Sequence, residues 1–304
     1  MRIARDYGTI PAMNMQPYRF LSQIHVLALG IGLLTACNPT EPQATTPTSQ
    51  PSTEPAATAP APADAGSSTA GKQGGCMAQV REQGLRVVTS PDYPPYEFID
   101  DKNEIDGFDI HMMEALGKAM GVPVKIEGQS FEGLIPSLLS GRADVIAAGL
   151  SITEERKKSV AFTMPYDQPK NILLVKSSDT SINGETTLAG KKIAVQIGSI
   201  QESVAKGIKG AEVKSYNLVT ESMMALEGGQ VDAMVVDDAV ARNFLSTKTN
   251  LREAGELPSA PKALAVRPDC TDLVQELDAA FEKIKADGQL DALKKQWFDQ
   301  SVIE

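Results

Sequence analysis

The segments GRADVIAAG (141–149) and GQVDAMVVD (229–237) are two copies of one pattern. Each supplies Gly, a polar residue, a small apolar residue and Asp, then an apolar run suited to a strand buried on both faces. Each follows a helical stretch, EGLIPSLLS (132–140) in one copy and ESMMALEG (221–228) in the other. The echo extends backwards. GLRVVTS (84–90) matches GKKIAVQ (190–196), and VPVKIEG (122–128) and AEVKSYN (211–217) take the middle places. Helices lie between, such as FDIHMMEALGKAM (108–120), with Phe108, Met112, Leu116 and Ala119 on one stripe. The chain therefore reads as two β-α-β-α-β units, an α/β fold of two mostly parallel lobes.

In such sheets ligands bind beyond the carboxyl ends of the strands. Four post-strand loops are expected to face one another: 90–96, 149–156, 196–201 and 236–238. Gly149 and Asp237 hold equivalent places in the two repeats. The first opens GLSITEERKK (149–158), which reads as a strand end followed by a helix capped by Thr153. Arg156 then falls in the first turn, where the helix dipole disfavours a cation. It is either a local partner of Glu154 or Glu155, or a holder of something negative. An arginine at one strand end and an aspartate at another suit a small zwitterion, with a carboxylate for Arg156 and an ammonium for Asp237.

The chain has 304 residues and a net charge of −10, which argues against a nucleic-acid partner. Arg19 precedes FLSQIHVLALGIGLLTAC (20–37), whose basic flank, short apolar core and small residues make a secretory signal, 1–36, that begins near Met13 or Met15. Its end, LTAC (34–37), looks like a bacterial lipobox, which implies cleavage before Cys37 and lipid on its sulfur. Residues 37–75 are then a Pro/Thr/Ala-rich linker with no core-forming residues, expected to be disordered. At about 3.1 Å per residue it reaches on the order of 100 Å. Cys76 and Cys270 remain as an even pair in an oxidising compartment. A disulfide is the natural reading and two free thiols the alternative.

SPDYPPYEF (90–98), IDGFDIHMMEALGKAMG (105–121), SFEGLIPSLLSGRADVIAAGLSITEERKKSVAFTMPY (130–166) and DGQLDALKKQWF (287–298) resemble the polar amino-acid-binding proteins of ABC importers, bacterial solute-binding family 3. The resemblance spans 80–300. It implies a type II periplasmic-binding-protein-like fold with a hinge between lobe 1, 80–169 plus 262–304, and lobe 2, 170–261. It also implies roles. Arg156 takes the ligand carboxylate with the Ser151 N–H and the helix-opening N–H groups of Ser199, Ile200 and Gln201. Asp237 takes the ammonium with the Gly149 carbonyl and the Ser151 hydroxyl. Tyr93 and Phe131 sandwich the ligand. Ser90, Gln196 and Val236 read its side chain and depart from residues common in the family.

The function so implied is a lipid-anchored, extracytoplasmic protein, expected to be a monomer. It captures a free amino acid and delivers it to an ABC permease, with no cofactor and no metal. A neutral or polar ligand is expected over a dicarboxylate, because the four loops carry no Lys or Arg besides Arg156. A basic ligand is the runner-up, since Asp92, Glu132 or Glu202 could face its side chain. Two other functions stay open. One is an enzyme on the same scaffold, of the cyclohexadienyl dehydratase kind, with Asp237, Asp238 or Glu202 as acid. The other is an amino-acid sensor acting through a separate partner. The two histidines, His25 in the signal and His111 on a core helix, offer little to a metal site or a hydrolytic triad.

Overall fold

The computed structural model describes residues 75–299; the expected signal peptide, Cys37 and the expected linker up to residue 74 lie outside the described residues. Helix α1 (Cys76–Gln83) leads into β1 (Leu85–Thr89). A small antiparallel sheet follows, made of β2 (Asp92–Tyr93), β3 (Glu97–Ile99) and β4 (Ile105–Asp106). Then come α2 (Phe108–Met120), β5 (Val124–Gly128), α3 (Leu134–Leu139), β6 (Val145–Ile146) and β7 (Ala161–Phe162). The second sheet is entered at β8 (Asn171–Lys176). It continues through β9 (Lys192–Gln196), α4 (Ile200–Gly207), β10 (Glu212–Tyr216), α5 (Val219–Glu227), β11 (Ala233–Asp237), α6 (Asp238–Thr247) and β12 (Leu251–Leu257). The chain returns to the first sheet as β13 (Ala265–Val266), followed by α7 (Thr271–Ala286) and α8 (Gln289–Phe298).

The two five-stranded sheets have one topology, β5-β1-β6-β13-β7 and β10-β9-β11-β8-β12. In each, the three repeat strands are parallel: β1 with β5 and β6, and β9 with β10 and β11. The fourth strand runs against them: β13 is antiparallel to β6, and β8 to β11. The sheets are thus mixed rather than wholly parallel. β8 and β13 are the strands that arrive from the other sheet. A strand entering that way needs no helical crossover from its neighbour, so it is free to pair antiparallel.

The α2 stripe packs as the spacing predicts. Phe108, Met112 and Leu116 are fully buried, and Ala119 is partly buried against the same cluster. Each such large side chain contributes roughly 1.5–3 kcal/mol on burial. In the second sheet Leu173, Val175, Ile193, Val195 and Val235 do the same work. Gly121 ends α2 in the left-handed conformation, φ 71°, where its N–H closes onto the Gly117 carbonyl.

Cys76 and Cys270 form a disulfide with a Cα–Cα distance of 5.3 Å, tying α1 to the start of α7. Beside it the Met77 N–H donates to Asp272 Oδ2 at 2.9 Å. No helix among the described residues is long and apolar enough to cross a membrane.

Candidate functional site

One cavity lies at the carboxyl ends of the repeat strands, lined from both sheets. The first contributes Tyr93, Phe131, Gly149, Ser151 and Arg156; the second contributes Gln196, Ser199, Ile200, Gln201 and Asp237. Ten residues nominated for ligand contact are therefore on its wall, while Ser90 and Val236, nominated to read the side chain, are not. Glu97, Ala148 and Lys262 join them. The space measures about 10 Å³, room for about one water molecule.

Arg156 is not on a helix. The segment after Thr153 forms only a 3-10 turn, Arg156–Lys158, although the Thr153 hydroxyl does accept the Arg156 N–H at 3.1 Å. The sequence expectation of a helix fails because the turn hands over directly to β7. Nor does Arg156 pair with its acidic neighbours. Glu154 is bonded to Lys157 and Glu155 to Lys158, both in solvent. The Arg156 guanidinium is buried instead. It donates to the Ser151 carbonyl at 2.7 Å and the Gly198 carbonyl at 3.0 Å, and lies 5.6 Å from the Phe131 ring centroid. Burial lowers its pKa to about 10, which leaves it charged at neutral pH. With two N–H groups on carbonyls, the remaining donors of the fork are free of those two bonds, in a geometry that suits a carboxylate.

Ser199 caps α4: its hydroxyl donates to the Gln196 carbonyl at 2.7 Å and accepts the Glu202 N–H at 3.1 Å. The first N–H groups of a helix have no partner within it, and here they belong to Ile200 and Gln201 on the cavity wall.

Asp237 ends β11 and is 1% exposed. Its carboxylate accepts the Tyr93 hydroxyl at 2.9 Å and Gln201 Nε2 at 3.1 Å. Burial, and then the Asp237 charge, push the Tyr93 hydroxyl well above its ordinary pKa, so it stays a donor. The third partner was not foreseen. Lys262 Nζ lies 2.5 Å from Asp237 Oδ2 and 2.5 Å from the Gly149 carbonyl oxygen. It also lies over the Tyr93 and Tyr96 rings, 5.5 and 4.9 Å from their centroids. Gly149, at φ 50°, permits this approach: a Cβ there would stand 3.2 Å from the ammonium.

Two of the three groups that the resemblance assigned to a ligand ammonium, Asp237 and the Gly149 carbonyl, thus meet a lysine of the chain itself. The four loops do hold Arg156 as their sole basic residue, but the second cation comes from outside them. The premise against a second ligand carboxylate, a lone cation, therefore does not hold. A signal was available: Lys262 is a charged residue leading the otherwise apolar run ALAV (263–266), each residue of which is buried.

The acids offered for a basic side chain are otherwise engaged. Asp92 accepts the Val219 N–H at 2.5 Å and Gln196 Nε2 at 3.3 Å. Glu202 is bonded to the Gly198 N–H, the Ser215 hydroxyl and Lys206. Glu132 is not among the residues lining the cavity. Ser90 and Val236 are buried beside it rather than on its wall. His111 pairs with Asp106 on the outer side of α2, 2.8 Å away. Among the described residues, the one cluster with metal-ligand spacing is Cys76, Asp269 and Cys270, two of which form the disulfide.

A model of the bacterial extracellular solute-binding proteins, family 3, matches residues 85–300. The chain belongs to that family. Among its relatives, a probable histidine-binding protein of Campylobacter jejuni is 34% identical over 216 residues, covering 70% of this chain and 84% of the relative. The ABC transporter arginine-binding protein 1 of Escherichia coli is 34% identical over 224 residues, covering 71% and 91%. Among solved structures, an ancestral arginine-binding protein bound to arginine superposes with a TM-score of 0.68 at 37% identity, covering 70% of this chain and 97% of that one. These relatives carry the two-lobed α/β fold that the sequence predicted.

Proposed function

We propose that this family member captures a free amino acid between its lobes and delivers it to an ABC permease. The observation that supports it is a buried cation on one sheet and a buried anion on the other, Arg156 and Asp237, facing one cavity. In this reading the ligand carboxylate lies on Arg156, the Ser151 N–H and the opening N–H groups of α4. Its ammonium exchanges with Lys262 at Asp237 and the Gly149 carbonyl. Tyr93 and Phe131 flank it, and Gln196 meets the side chain. The names of the relatives, histidine- and arginine-binding, support an amino acid as the solute.

The lobes would divide at 169/170 and 261/262, with a hinge at the two crossings. The head would act as a monomer outside the cytoplasm, held to the membrane by lipid on Cys37. We assign it no catalysis. The relatives are named as binding proteins, and a carboxylate already accepting three donors, as Asp237 does, is a poor general acid.

A thermal-shift screen of the twenty amino acids tests the reading. A specific ligand at 100 times its dissociation constant adds about 2.7 kcal/mol to stability. No shift with any of the twenty at millimolar concentration would overturn it.

A further inference from the structure

Lys262 sits where an amino-acid ligand would place its ammonium. Its backbone belongs to the first sheet's margin: the Lys262 N–H donates to the Asp167 carbonyl at 2.9 Å, and the next residue, Ala263, donates to Leu150 at 3.1 Å. Its ammonium crosses to the second sheet and ends on Asp237. Both side chains are 1% exposed. Such a pair is desolvated, and removing one member leaves an uncompensated charge. Any ammonium arriving at Asp237 therefore has to displace a cation already paired there.

The cavity offers one place for a displaced lysine. Glu97 lines the same wall, is 1% exposed, and its Oε2 has no hydrogen-bond partner. Burial, with the Asp109 charge second, holds its carboxyl well above the ordinary range, while Lys262 pulls the other way. With Lys262 already paired to Asp237, a monoanion needs only the Arg156 fork, whereas a zwitterion also brings an ammonium to an aspartate that already holds one.

We propose that Lys262 supplies from within the chain the ammonium that Asp237 requires, so that the cleft also binds carboxylates lacking an α-ammonium, namely 2-oxo and 2-hydroxy acids. Amino acids enter by driving Lys262 from Asp237 towards Glu97. The inference rests on the amino-acid reading for the carboxylate half of the site, at Arg156.

Calorimetric titration tests it with four pairs: alanine and pyruvate, glutamate and 2-oxoglutarate, histidine and imidazolepyruvate, arginine and 5-guanidino-2-oxopentanoate. On the native chain, the 2-oxo member of the binding pair is expected within about tenfold of its amino acid. In Lys262→Met, Asp237 loses its partner; the amino acid should bind about tenfold or more tighter and the 2-oxo acid about tenfold or more weaker. Lys262→Gln, which keeps a hydrogen bond to Asp237, serves if the methionine variant does not fold, and the native-chain comparison needs no variant. Amino-acid binding with silent 2-oxo acids would overturn the role of Lys262 and leave amino-acid capture standing. Binding of 2-oxo acids alone would do the reverse. Affinities unmoved by both Lys262 variants, or no heat from any of the eight compounds on the native chain, would also overturn it.

Discussion

Arg156 Nη2 donates to the Gly198 carbonyl oxygen at 3.0 Å, so a guanidinium rooted in the first sheet's loop touches the loop after β9 in the second. In the proposed function this side chain holds the ligand carboxylate; in the structure it also fastens the two sides of the cavity. Arg156→Ala should cost the ligand roughly 2–5 kcal/mol, about 30-fold to several thousand-fold in affinity. Arg156→Lys should not rescue it, because an ammonium cannot span two carbonyls and still offer a fork. Titration calorimetry with the fold checked by circular dichroism reads both. Undiminished affinity in Arg156→Ala would refute the carboxylate role.

Asp237→Asn should weaken the free protein as well as the complex. The amide has one accepting oxygen where the carboxylate had two, so it keeps at most one of the bonds from Tyr93 and Gln201 and strands Lys262; breaking a buried pair from one side costs about 3–5 kcal/mol. Combining it with Lys262→Met should recover much of the loss, since neither charge is then left alone. Urea denaturation of the two single variants and the double variant measures the coupling. Strict additivity would mean the pair does not hold the lobes.

Removing the disulfide by Cys76→Ser and Cys270→Ser should reduce stability by roughly 2–5 kcal/mol, in keeping with the long loop closed across 194 positions. Ligand affinity should stay within about twofold, because Cys76 opens α1 and Cys270 caps α7 on the first sheet's side, and neither lines the cavity. Peptide mapping without reductant shows the link directly. Two alkylatable thiols would contradict it.

Stability should fall as pH rises from about 4 to about 6. Asp109, buried beneath Gly149 and Tyr166, has its carboxyl raised to about 6, by burial above all. An unfolded aspartate releases its proton near 3.9, so between these values the native state holds a proton that the unfolded chain does not. The shift corresponds to roughly 3 kcal/mol, present below about pH 4 and lost above about pH 6. Glu97, raised in the same direction, steepens the trend. Asp109→Asn should flatten it. Denaturation midpoints at pH 4, 5, 6 and 7 decide the matter.

The repeat carried most of this architecture. Two echoing strands identified two sheets, and the rule that ligands gather at strand ends picked the loops 90–96, 149–156, 196–201 and 236–238 and, within them, Gly149, Arg156 and Asp237; Tyr93 and Gln196 were singled out by the family resemblance. What escaped lay outside the repeat. β8 and β13 have no counterpart in the β-α-β-α-β pattern, so their direction was not legible, nor was the reach of Lys262 at the head of the β13 segment. The turn at Arg156–Lys158 was misread as a helix because a good cap residue says where a helix could begin, not how long it lasts. Phe131 lay outside the four strand-end loops and was named only through the family resemblance, and Ser151, Ser199, Ile200 and Gln201, which lay within those loops, received their individual roles from it.

The link between Cys76 and Cys270 also sets a mechanical route. Tension applied to the chain ahead of Gly75 enters the folded part at Cys76, crosses the sulfur bridge and is borne by α7. The load is taken up on one side of the cleft. β8 to β12 are not in series with it, so a head tugged from its amino end can still open and close the far sheet without working against the pull.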